Sequence, residues 1–194
     1  MGELILQMMV SVDGRTEGPG KNLDWIEVVD PDLDDSLAEL LDSVDAQIFG
    51  RSTYELLGQY WPDADHHPVT PGDKMLAPKV NGLSKIVVSH SDRNLTWMPA
   101  TRIGDDLPGE VNALKAQSGR PLVLFGGATT AREFMRLDLV DEYRLLVFPV
   151  LLGGGQHLFA ADDRRRDLQL VETVPFPASG VVLHRYRKND VTDS

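Results

Sequence analysis

Cysteine is absent from this chain of 194 residues. Without thiols the chain can form no disulfide framework, thiolate nucleophile, iron–sulfur cluster or cysteine-ligated zinc site. Basic residues are also scarce, since 19 Lys and Arg face 30 Asp and Glu, for a formal charge of -11. An acidic surface repels polyanions, so we expect neither a nucleic-acid partner nor binding to an anionic membrane.

Long apolar runs and linkers are missing as well. The N-terminal apolar run, residues 4–10, is interrupted by Gln7 and is too short for a secretion signal or a membrane span. No repeat, low-complexity tract or Gly/Ser linker separates two cores. With 42% hydrophobic and 25% charged residues, we expect one cytoplasmic domain over residues 1–188, followed by a polar tail over 189–194.

Strand and helix patterns alternate through the first two thirds of the chain. Residues 3–11 are apolar enough for a strand buried on both faces, and residues 12–29 lack periodicity, which is typical of a functional loop. Asp30-Pro31 then provides an N-cap and a first-turn proline for an amphipathic helix. Further strands are predicted at 46–49, 85–89 and 121–125, and further helices at 52–57, 74–79, 108–117 and 128–137.

The pattern changes from residue 142 onward. Three strand-like segments, 142–150, 168–174 and 180–187, follow one another without a helical pattern between them. This predicts antiparallel strands that close the sheet. The chain as a whole therefore predicts an α/β fold with a central mixed sheet, mainly parallel, that has an antiparallel C-terminal end.

Gly50-Arg51-Ser52-Thr53 lies where a predicted strand gives way to a helix. The N-terminus of a helix presents unpaired N–H groups and a partial positive charge, which favour a phosphate. The Thr53 hydroxyl would add a donor and Arg51 a forked cation. The alternative interpretation is an ordinary helix start with a solvent-exposed arginine.

A second turn of this kind, residues 125–130 (FGGATT), also joins a predicted strand to a helix. Its two glycines let the backbone approach a ligand, although it lacks the full glycine spacing of a dinucleotide-binding turn, and a tight structural turn is the alternative. Ser89 and His90 follow a third predicted strand. Because ligands bind beyond the carboxyl ends of parallel strands, the three strand ends together predict a dinucleotide site.

The other motifs are less specific. Asp13, before a glycine, is typical of turn geometry, and Trp25 is either the anchor of a lid or a stacking partner. Residues 148–155 end a strand with three glycines, which allows a bulge or a close approach to a ligand. His66 and His67 have no third ligand at a suitable spacing, so we expect no metal site.

Taken in order, these motifs resemble the dihydrofolate reductase superfamily. The residues that carry the resemblance are 11–14 (SVDG), Trp25, 45–53 (DAQIFGRST), 88–89 (VS), 125–127 (FGG) and 149–155 (PVLLGGG). They are most similar to the subgroup related to the reductase domain of the bifunctional riboflavin-biosynthesis deaminase/reductase. The similarity extends over residues 4–187, nearly the whole chain.

The resemblance implies an NADPH-dependent reductase, usually a homodimer, with a three-layer α/β/α structure. It implies that residues 126–130 cradle the pyrophosphate, that the Met9 backbone meets the nicotinamide carboxamide, and that Ser89, His90 and Arg51 surround the adenosine 2′-phosphate. The implied cofactor residues are Met9, Gly50, Arg51, Ser52, Thr53, Ser89, His90, Gly126, Gly127, Ala128, Thr129 and Thr130. The implied substrate residues are Gln7, Trp25, Tyr54, Phe148, Pro149 and Leu151, with Asp30 as the candidate catalytic carboxylate.

Two positions depart from the families that the chain resembles. Asp30 lies near the carboxylate that holds the pterin in dihydrofolate reductase, but it is equally placed to cap a helix. Gln7 stands where the riboflavin reductase has a lysine that binds the substrate's ribose phosphate. Residues 30–46 contain no Lys or Arg and would oppose a phosphorylated substrate with Asp32, Asp34 and Asp35.

We therefore expect a stand-alone NADPH-dependent reductase that transfers hydride to a small heterocyclic or carbonyl substrate. One alternative is the 5-amino-6-(5-phosphoribosylamino)uracil reductase of riboflavin biosynthesis. The other is a dinucleotide-binding protein without turnover, because the sequence contains no unambiguous acid or base.

Overall fold

An eight-stranded sheet organises the chain in a computed structural model, which describes residues 2–91, 94–159 and 164–189. The spatial order of the strands is β4-β3-β2-β5-β1-β6-β8-β7. All neighbouring pairs from β4 to β6 are parallel, and β8 pairs antiparallel with both β6 and β7. The strands are β1 (Leu4–Ser11), β2 (Ala46–Gly50), β3 (Ser84–Val88), β4 (Ala100–Ile103), β5 (Leu122–Leu124), β6 (Glu142–Phe148), β7 (Leu168–Phe176) and β8 (Val181–Lys188).

Four of the six described α-helices, α1, α3, α4 and α5, begin where the sequence supplies a cap or a proline. The α-helices are α1 (Pro31–Ser43), α2 (Arg51–Leu57), α3 (Trp61–Ala64), α4 (Pro71–Gly82), α5 (Leu107–Gln117) and α6 (Ala128–Arg136). Two 3-10 turns, Pro19–Lys21 and Asp24–Ile26, lie in the predicted loop after β1. Within the described part of the chain, no helix is long and apolar enough to span a membrane.

Helices cover both faces of the sheet. Side chains alternate between the two faces of a strand, and Leu6 packs in a cluster with Val111 of α5 and Phe134 of α6. The neighbouring Ile5 packs on the opposite face with Leu40 of α1. The predicted three-layer α/β/α architecture, with a mainly parallel sheet and an antiparallel end, is thus confirmed.

The direction of β6 differs from the prediction. It was expected to run antiparallel, but it runs parallel to β1 with Gln7 opposite Arg144 and Ser11 opposite Phe148. The reason is that α6 returns the chain to the other end of the sheet before β6 starts, which is the crossover that parallel strands require. Among the described strands, β8 alone runs against the others.

Three further elements differ from the prediction. The strand β4 and the single-turn helix α3 have no counterpart in the prediction, and the helix expected at 74–79 is longer. It starts at Pro71 because Thr70 and Asp73 form a capping box. Residues 190–194 of the predicted tail lie outside the described residues.

Candidate functional site

Strands β1 and β5 separate at the carboxyl end of the sheet. Their pairing ends where Leu6 lies opposite Leu124, whereas β1 continues along β6 as far as Ser11. In the described part of the chain, β1 therefore has no strand on its β5 side from Gln7 to Ser11, and Met9 lies in the middle of this gap. A crevice beyond the carboxyl ends of parallel strands is where α/β sheets bind ligands.

The two predicted glycine turns meet beside this gap. Gly50 at the end of β2 donates its N–H to the carbonyl of Gly126 at 2.7 Å. A Cβ atom on Gly50 would lie 2.2 Å from Thr130 Oγ1, and one on Gly127 would lie 3.1 Å from Thr53 Oγ1. Gly126 has a φ of +87°, which strongly favours glycine. These close approaches bring the first turns of α2 and α6 together.

The first turns of α2 and α6 differ from those of α1, α4 and α5. Side chains of Asp30, Thr70 and Asp106 accept hydrogen bonds from the first-turn amides of α1, α4 and α5. The helices α2 and α6 start at Gly50 and Gly127 with no side-chain cap. No described side chain caps their first-turn N–H groups, and the positive end of each helix dipole favours an anion.

A basic cluster lies at the third strand end, after β3. Ser89 is buried and its hydroxyl accepts a hydrogen bond from Ser91 N at 3.1 Å, while His90 is exposed. Arg102 donates from Nη1 to the carbonyl of Ser89 at 3.0 Å and pairs with Asp105 at 2.9 Å. The sequence prediction missed Arg102, because β4, which carries it, is four residues long and shows no apolar alternation.

Arg51 joins α2 to the segment that precedes β4. Its Nε donates to Glu55 Oε1 at 2.7 Å, and its Nη2 donates to the carbonyl of Asn94 at 3.3 Å. The Asn94 contact places the guanidinium between α2 and the chain that follows Ser89. Arg51 and Arg102 thus approach the end of β3 from two elements that are far apart in sequence.

Asp13 fastens the glycine-rich segment after β6 to the end of β1. Its carboxylate accepts hydrogen bonds from Ser11 Oγ at 2.6 Å, Arg15 Nε at 3.0 Å, Leu152 N at 3.1 Å and Gly153 N at 3.0 Å. These hydrogen bonds, that from Ser11 first, hold the pKa of Asp13 far below its usual range. The carboxylate therefore has a structural role, in agreement with the interpretation of Asp13 as a turn residue.

Trp25 packs against the end of β6. Its ring makes an edge-to-face contact with Phe148, with ring centroids 5.3 Å apart at 88°. The indole Nε1 is buried and has no hydrogen-bond partner among the described residues. Pro149 is exposed, and Leu151 is 72% exposed at the same strand end. Phe148 is 1% exposed and belongs to a core cluster with Leu146 and Leu183, which corrects the prediction that it binds substrate; of the predicted substrate residues at this strand end, Pro149 and Leu151 are the exposed ones.

Asp30 is the N-cap of α1. Its Oδ1 accepts hydrogen bonds from Asp32 N and Leu33 N at 3.2 and 3.3 Å, and its Oδ2 accepts one from Ser179 N at 2.9 Å. Hydrogen bonds from Ser179 and from these amides lower the pKa of Asp30 although the residue is only 1% exposed. A carboxyl that is ionised at neutral pH and accepts hydrogen bonds on both oxygens fits the cap and does not fit a proton donor.

Tyr54 lies in the core rather than facing a substrate. Its hydroxyl accepts from Trp97 N at 2.7 Å and donates to the Trp97 carbonyl at 3.1 Å, and the residue is 2% exposed. Both hydrogen-bonding positions of the hydroxyl are therefore used within the protein. This corrects the prediction that Tyr54 binds substrate: it holds the segment before β4 against α2.

Gln7 lies on the face of β1 covered by α1 and is 3% exposed. Its Oε1 accepts a hydrogen bond from Arg144 Nε at 3.1 Å, but its Nε2 has no partner among the described residues. Gln7 and Trp25 are the two described residues whose buried side-chain polar atoms lack a partner. Buried donors are normally paired, so each of these two predicted substrate residues contains a buried N–H group that lacks an acceptor among the described residues.

His66 and His67 are exposed after α3. The backbone N–H groups of both donate to the carbonyl of Asp63, at 3.0 and 2.7 Å. Within residues 2–91, 94–159 and 164–189, no three His, Asp or Glu side chains gather as metal ligands.

The fold is dihydrofolate-reductase-like. A dihydrofolate reductase from Enterococcus faecalis complexed with NADP(H) superimposes with a TM-score of 0.64 at 16% identity, over 97% of this chain and 98% of that chain. A candidate riboflavin biosynthesis protein from Shewanella sp. PV-4 superimposes with a TM-score of 0.75 at 21% identity, over 97% and 99% of the two chains.

Within that class, the chain belongs to the RibD C-terminal domain family, whose model matches residues 3–182. The uncharacterized protein YyaP of Bacillus subtilis (strain 168) is 37% identical over 186 residues, which covers 96% of this chain and 95% of YyaP. The resemblance on which the sequence prediction rested is confirmed, and the chain is a reductase-like domain.

Proposed function

We propose that this chain is a stand-alone reductase that uses NADPH to transfer hydride to a small heterocyclic or carbonyl substrate. The observation that carries the proposal is the meeting of two helix N-termini without side-chain caps, α2 and α6, beside the gap between β1 and β5. A dinucleotide needs both features, because its phosphates require N–H donors and its nicotinamide requires an open strand edge.

The phosphate groups are held by the main chain in this proposal. The first-turn amides of α6, residues 127–130, bind the pyrophosphate, and Gly50 to Thr53 contact it from α2. Ser89, His90, Arg51 and Arg102 surround the adenosine 2′-phosphate. The positions of the two arginines support this assignment, since both reach the chain near the end of β3. Guanidinium groups bind phosphates in a forked geometry.

The nicotinamide end lies in the gap beside Met9, where β1 has main-chain groups that no neighbouring described strand pairs. When bound, NADPH supplies the hydride. Trp25 and Leu151 exclude water from the reacting face and orient the substrate. The proton comes from bound water in this proposal, because Asp30 is ionised and serves as a helix cap.

The acidic flank of α1 decides between substrate classes. Asp32, Asp35 and Glu39 lie along α1 on the side that faces β8 and β7. Gln7 replaces the lysine of the riboflavin-pathway enzymes, and residues 30–46 have no cation. A phosphorylated substrate would meet like charges there. These residues favour an unphosphorylated substrate over the 5-amino-6-(5-phosphoribosylamino)uracil of the alternative.

Fluorescence titrations with NADPH and NADH test the cofactor assignment. We expect NADPH to bind more tightly than NADH, and Arg51→Ala and Arg102→Ala each to weaken NADPH about tenfold or more, because a charge-assisted hydrogen bond contributes about 1.5–3 kcal/mol. NADH affinity should change by less than about twofold. Arg165→Ala, which removes an exposed arginine that pairs with its neighbour Asp167, is the matched control.

Failure of NADPH to bind at millimolar concentration would refute the proposal, and equal affinities for the two cofactors would refute the role of the arginines. The rate of NADPH oxidation, measured with the phosphorylated pyrimidine and with a panel of unphosphorylated pterins as substrates, then distinguishes the proposed reductase from the riboflavin-pathway reductase. Tight binding without oxidation of NADPH by any of these substrates would favour the dinucleotide-binding protein without turnover.

A further inference from the structure

Arg132 lies on α6 one turn after Thr129, and its side chain runs back toward the start of the helix. Its Nη2 lies 3.5 Å from Thr129 Oγ1, and its Nη1 donates to the carbonyl of His157 at 3.3 Å. Thr129 is the second residue of α6, whose first turn has no side-chain cap. The guanidinium of Arg132 is therefore held beside the N-terminus of α6.

The charge of Arg132 has no carboxylate partner in the part of the chain that the structure describes. The other arginine of α6, Arg136, pairs with Glu133 at 2.6 Å. The two contacts of Arg132 are long for hydrogen bonds and go to uncharged oxygens, so they use two of its five N–H donors and bring no anion to it. The remaining donors keep the forked arrangement that matches phosphate oxygens.

The hydroxyl of Thr129 adds a further donor at the same place. Its Oγ1 lies near Arg132 and also accepts a hydrogen bond from Gln156 Nε2 at 3.3 Å. A hydroxyl has two lone pairs and one proton. Because Arg132 and Gln156 occupy the lone pairs, the proton of Thr129 is directed away from both. Arg132 and Thr129 thus present donors together beside the first-turn amides of α6.

The segment that carries Gln156 is anchored independently of Arg132. Thr16 N donates to the carbonyl of Gln156 at 2.8 Å, and Leu158 N donates to that of Gly14 at 2.9 Å. Leu158 is fully buried in the core cluster beneath α6. The loop after β1 and the core therefore fix this segment over α6, and the weak contact with Arg132 is not needed to keep it there.

The two threonines at the start of α6 lie on different flanks of the helix. Thr130 faces α2, since a Cβ on Gly50 would lie 2.2 Å from its Oγ1, whereas Thr129 lies toward the segment over α6. Arg51 is on the α2 side and is assigned to the 2′-phosphate, so the pyrophosphate has backbone donors but no cation of its own. In a chain with a formal charge of -11, binding of a group with two negative charges depends on local positive charge.

We propose that Arg132 binds the pyrophosphate of the dinucleotide, and that Gln156 positions the Thr129 hydroxyl to donate to the same group. This inference rests on the proposed function and extends it to two residues that the sequence prediction did not include. NADPH and NADH share the pyrophosphate, so Arg132 contributes equally to the binding of both. Arg51 and Arg102 differ from it, because they contact the 2′-phosphate that NADH lacks.

Three ligands distinguish these roles when they are titrated into the full chain by isothermal calorimetry. They are NADPH, NADH and adenosine 2′-phosphate, which carries the 2′-phosphate without the pyrophosphate. In Arg132→Gln we expect both dinucleotides to bind about tenfold more weakly, because one charge-assisted contact is lost, and adenosine 2′-phosphate to bind as in wild type. Arg51→Ala should weaken NADPH and adenosine 2′-phosphate and leave NADH unchanged. Arg136→Gln, which removes an exposed arginine of the same helix, is the matched control and should change no affinity.

Two further variants test the geometry of the contact. Arg132→Lys keeps the charge without the fork and should weaken both dinucleotides about threefold; it also replaces Arg132→Gln if that variant does not fold. Gln156→Ala should weaken both dinucleotides about twofold, because the Thr129 hydroxyl loses a donor that orients it.

The possible failures are distinguishable. Affinities for both dinucleotides within about twofold of wild type in the Arg132 variants would refute the role of Arg132 and leave the proposed reductase intact. An equal loss of affinity for adenosine 2′-phosphate would show that the substitution disturbs the fold rather than a pyrophosphate contact, and would also overturn the inference. If the wild-type protein binds neither dinucleotide, the proposed function fails and the role of Arg132 fails with it.

Discussion

Replacing Asp30 separates its structural role from a catalytic one. The carboxylate caps α1 through two amides and also accepts the N–H of Ser179 before β8. In Asp30→Ala, all three hydrogen bonds disappear. In Asp30→Asn, the amide oxygen still caps the helix, because asparagine is about as good an N-cap as aspartate, but the negative charge is lost.

The magnitude follows from the hydrogen bonds that are lost. Removing an N-cap side chain costs about 1 kcal/mol, and leaving a part-buried N–H without its acceptor costs about 1–2 kcal/mol more. We therefore expect Asp30→Ala to lower the free energy of unfolding by about 2–3 kcal/mol. For a chain of this size the melting temperature falls by about 5–10 °C. Asp30→Asn should lose about half as much.

The pH dependence provides a second readout. Because the pKa of Asp30 is lowered in the folded state, its charge stabilises the protein above the unfolded pKa of about 3.9, and this stabilisation is lost as the pH falls through the folded pKa. The difference in stability between wild type and Asp30→Asn should thus be constant above about pH 5 and shrink below about pH 4. Urea unfolding followed by circular dichroism at pH 3 to 7 measures this difference.

Three results would refute the reasoning. A loss of less than about 0.5 kcal/mol in Asp30→Ala would show that the cap contributes little. A stability difference that does not shrink at low pH would show that the charge is not the stabilising feature. Wild-type stability in Asp30→Asn combined with a fall in turnover of about 100-fold or more would instead identify Asp30 as a proton donor.

Two further predictions concern the core and the cleft. Burial lowers the pKa of Lys85 to about 8, so between about pH 8 and 10 the unfolded chain binds more protons than the folded chain, and the free energy of unfolding should rise with pH. Urea unfolding of Lys85→Met should lack this rise. The same pH dependence in wild type and Lys85→Met would contradict the prediction. In Gly50→Ala the new Cβ would lie 2.2 Å from Thr130 Oγ1, so NADPH binding should weaken about tenfold through displacement of α6. Gly119→Ala, where nothing lies within 4 Å, is its control, and equal affinities in the two variants would count against the close approach.

Features coded by neighbouring residues were predictable from the sequence. The start of α1 follows from Asp30-Pro31, because cap and first-turn proline are adjacent in the chain. The start of α2 follows from Gly50, which ends a buried strand, and that of α6 from the two glycines that follow β5. These signals act within one helical turn, so they do not depend on how the rest of the chain folds.

Features that depend on distant partners were not predictable. Tyr54 bonds the backbone of Trp97, 43 positions away, and no local pattern indicates that contact. Arg144 meets Gln7 only because β6 lies beside β1 in register. The direction of β6 depends on the crossover through α6 rather than on its own residues. Such contacts require the strand order, which periodicity alone does not determine.

The gap between β1 and β5 has a consequence for sequence divergence. It exists because β5 stops after three residues while β1 continues, so the edge of β1 that faces the gap consists of peptide groups, which most side-chain substitutions leave in place. The dinucleotide half of the site therefore depends on a few glycines and on strand length. The substrate half depends on side chains such as Trp25 and Leu151. A library that varies those side chains should alter which molecules the pocket admits while the dinucleotide half stays intact.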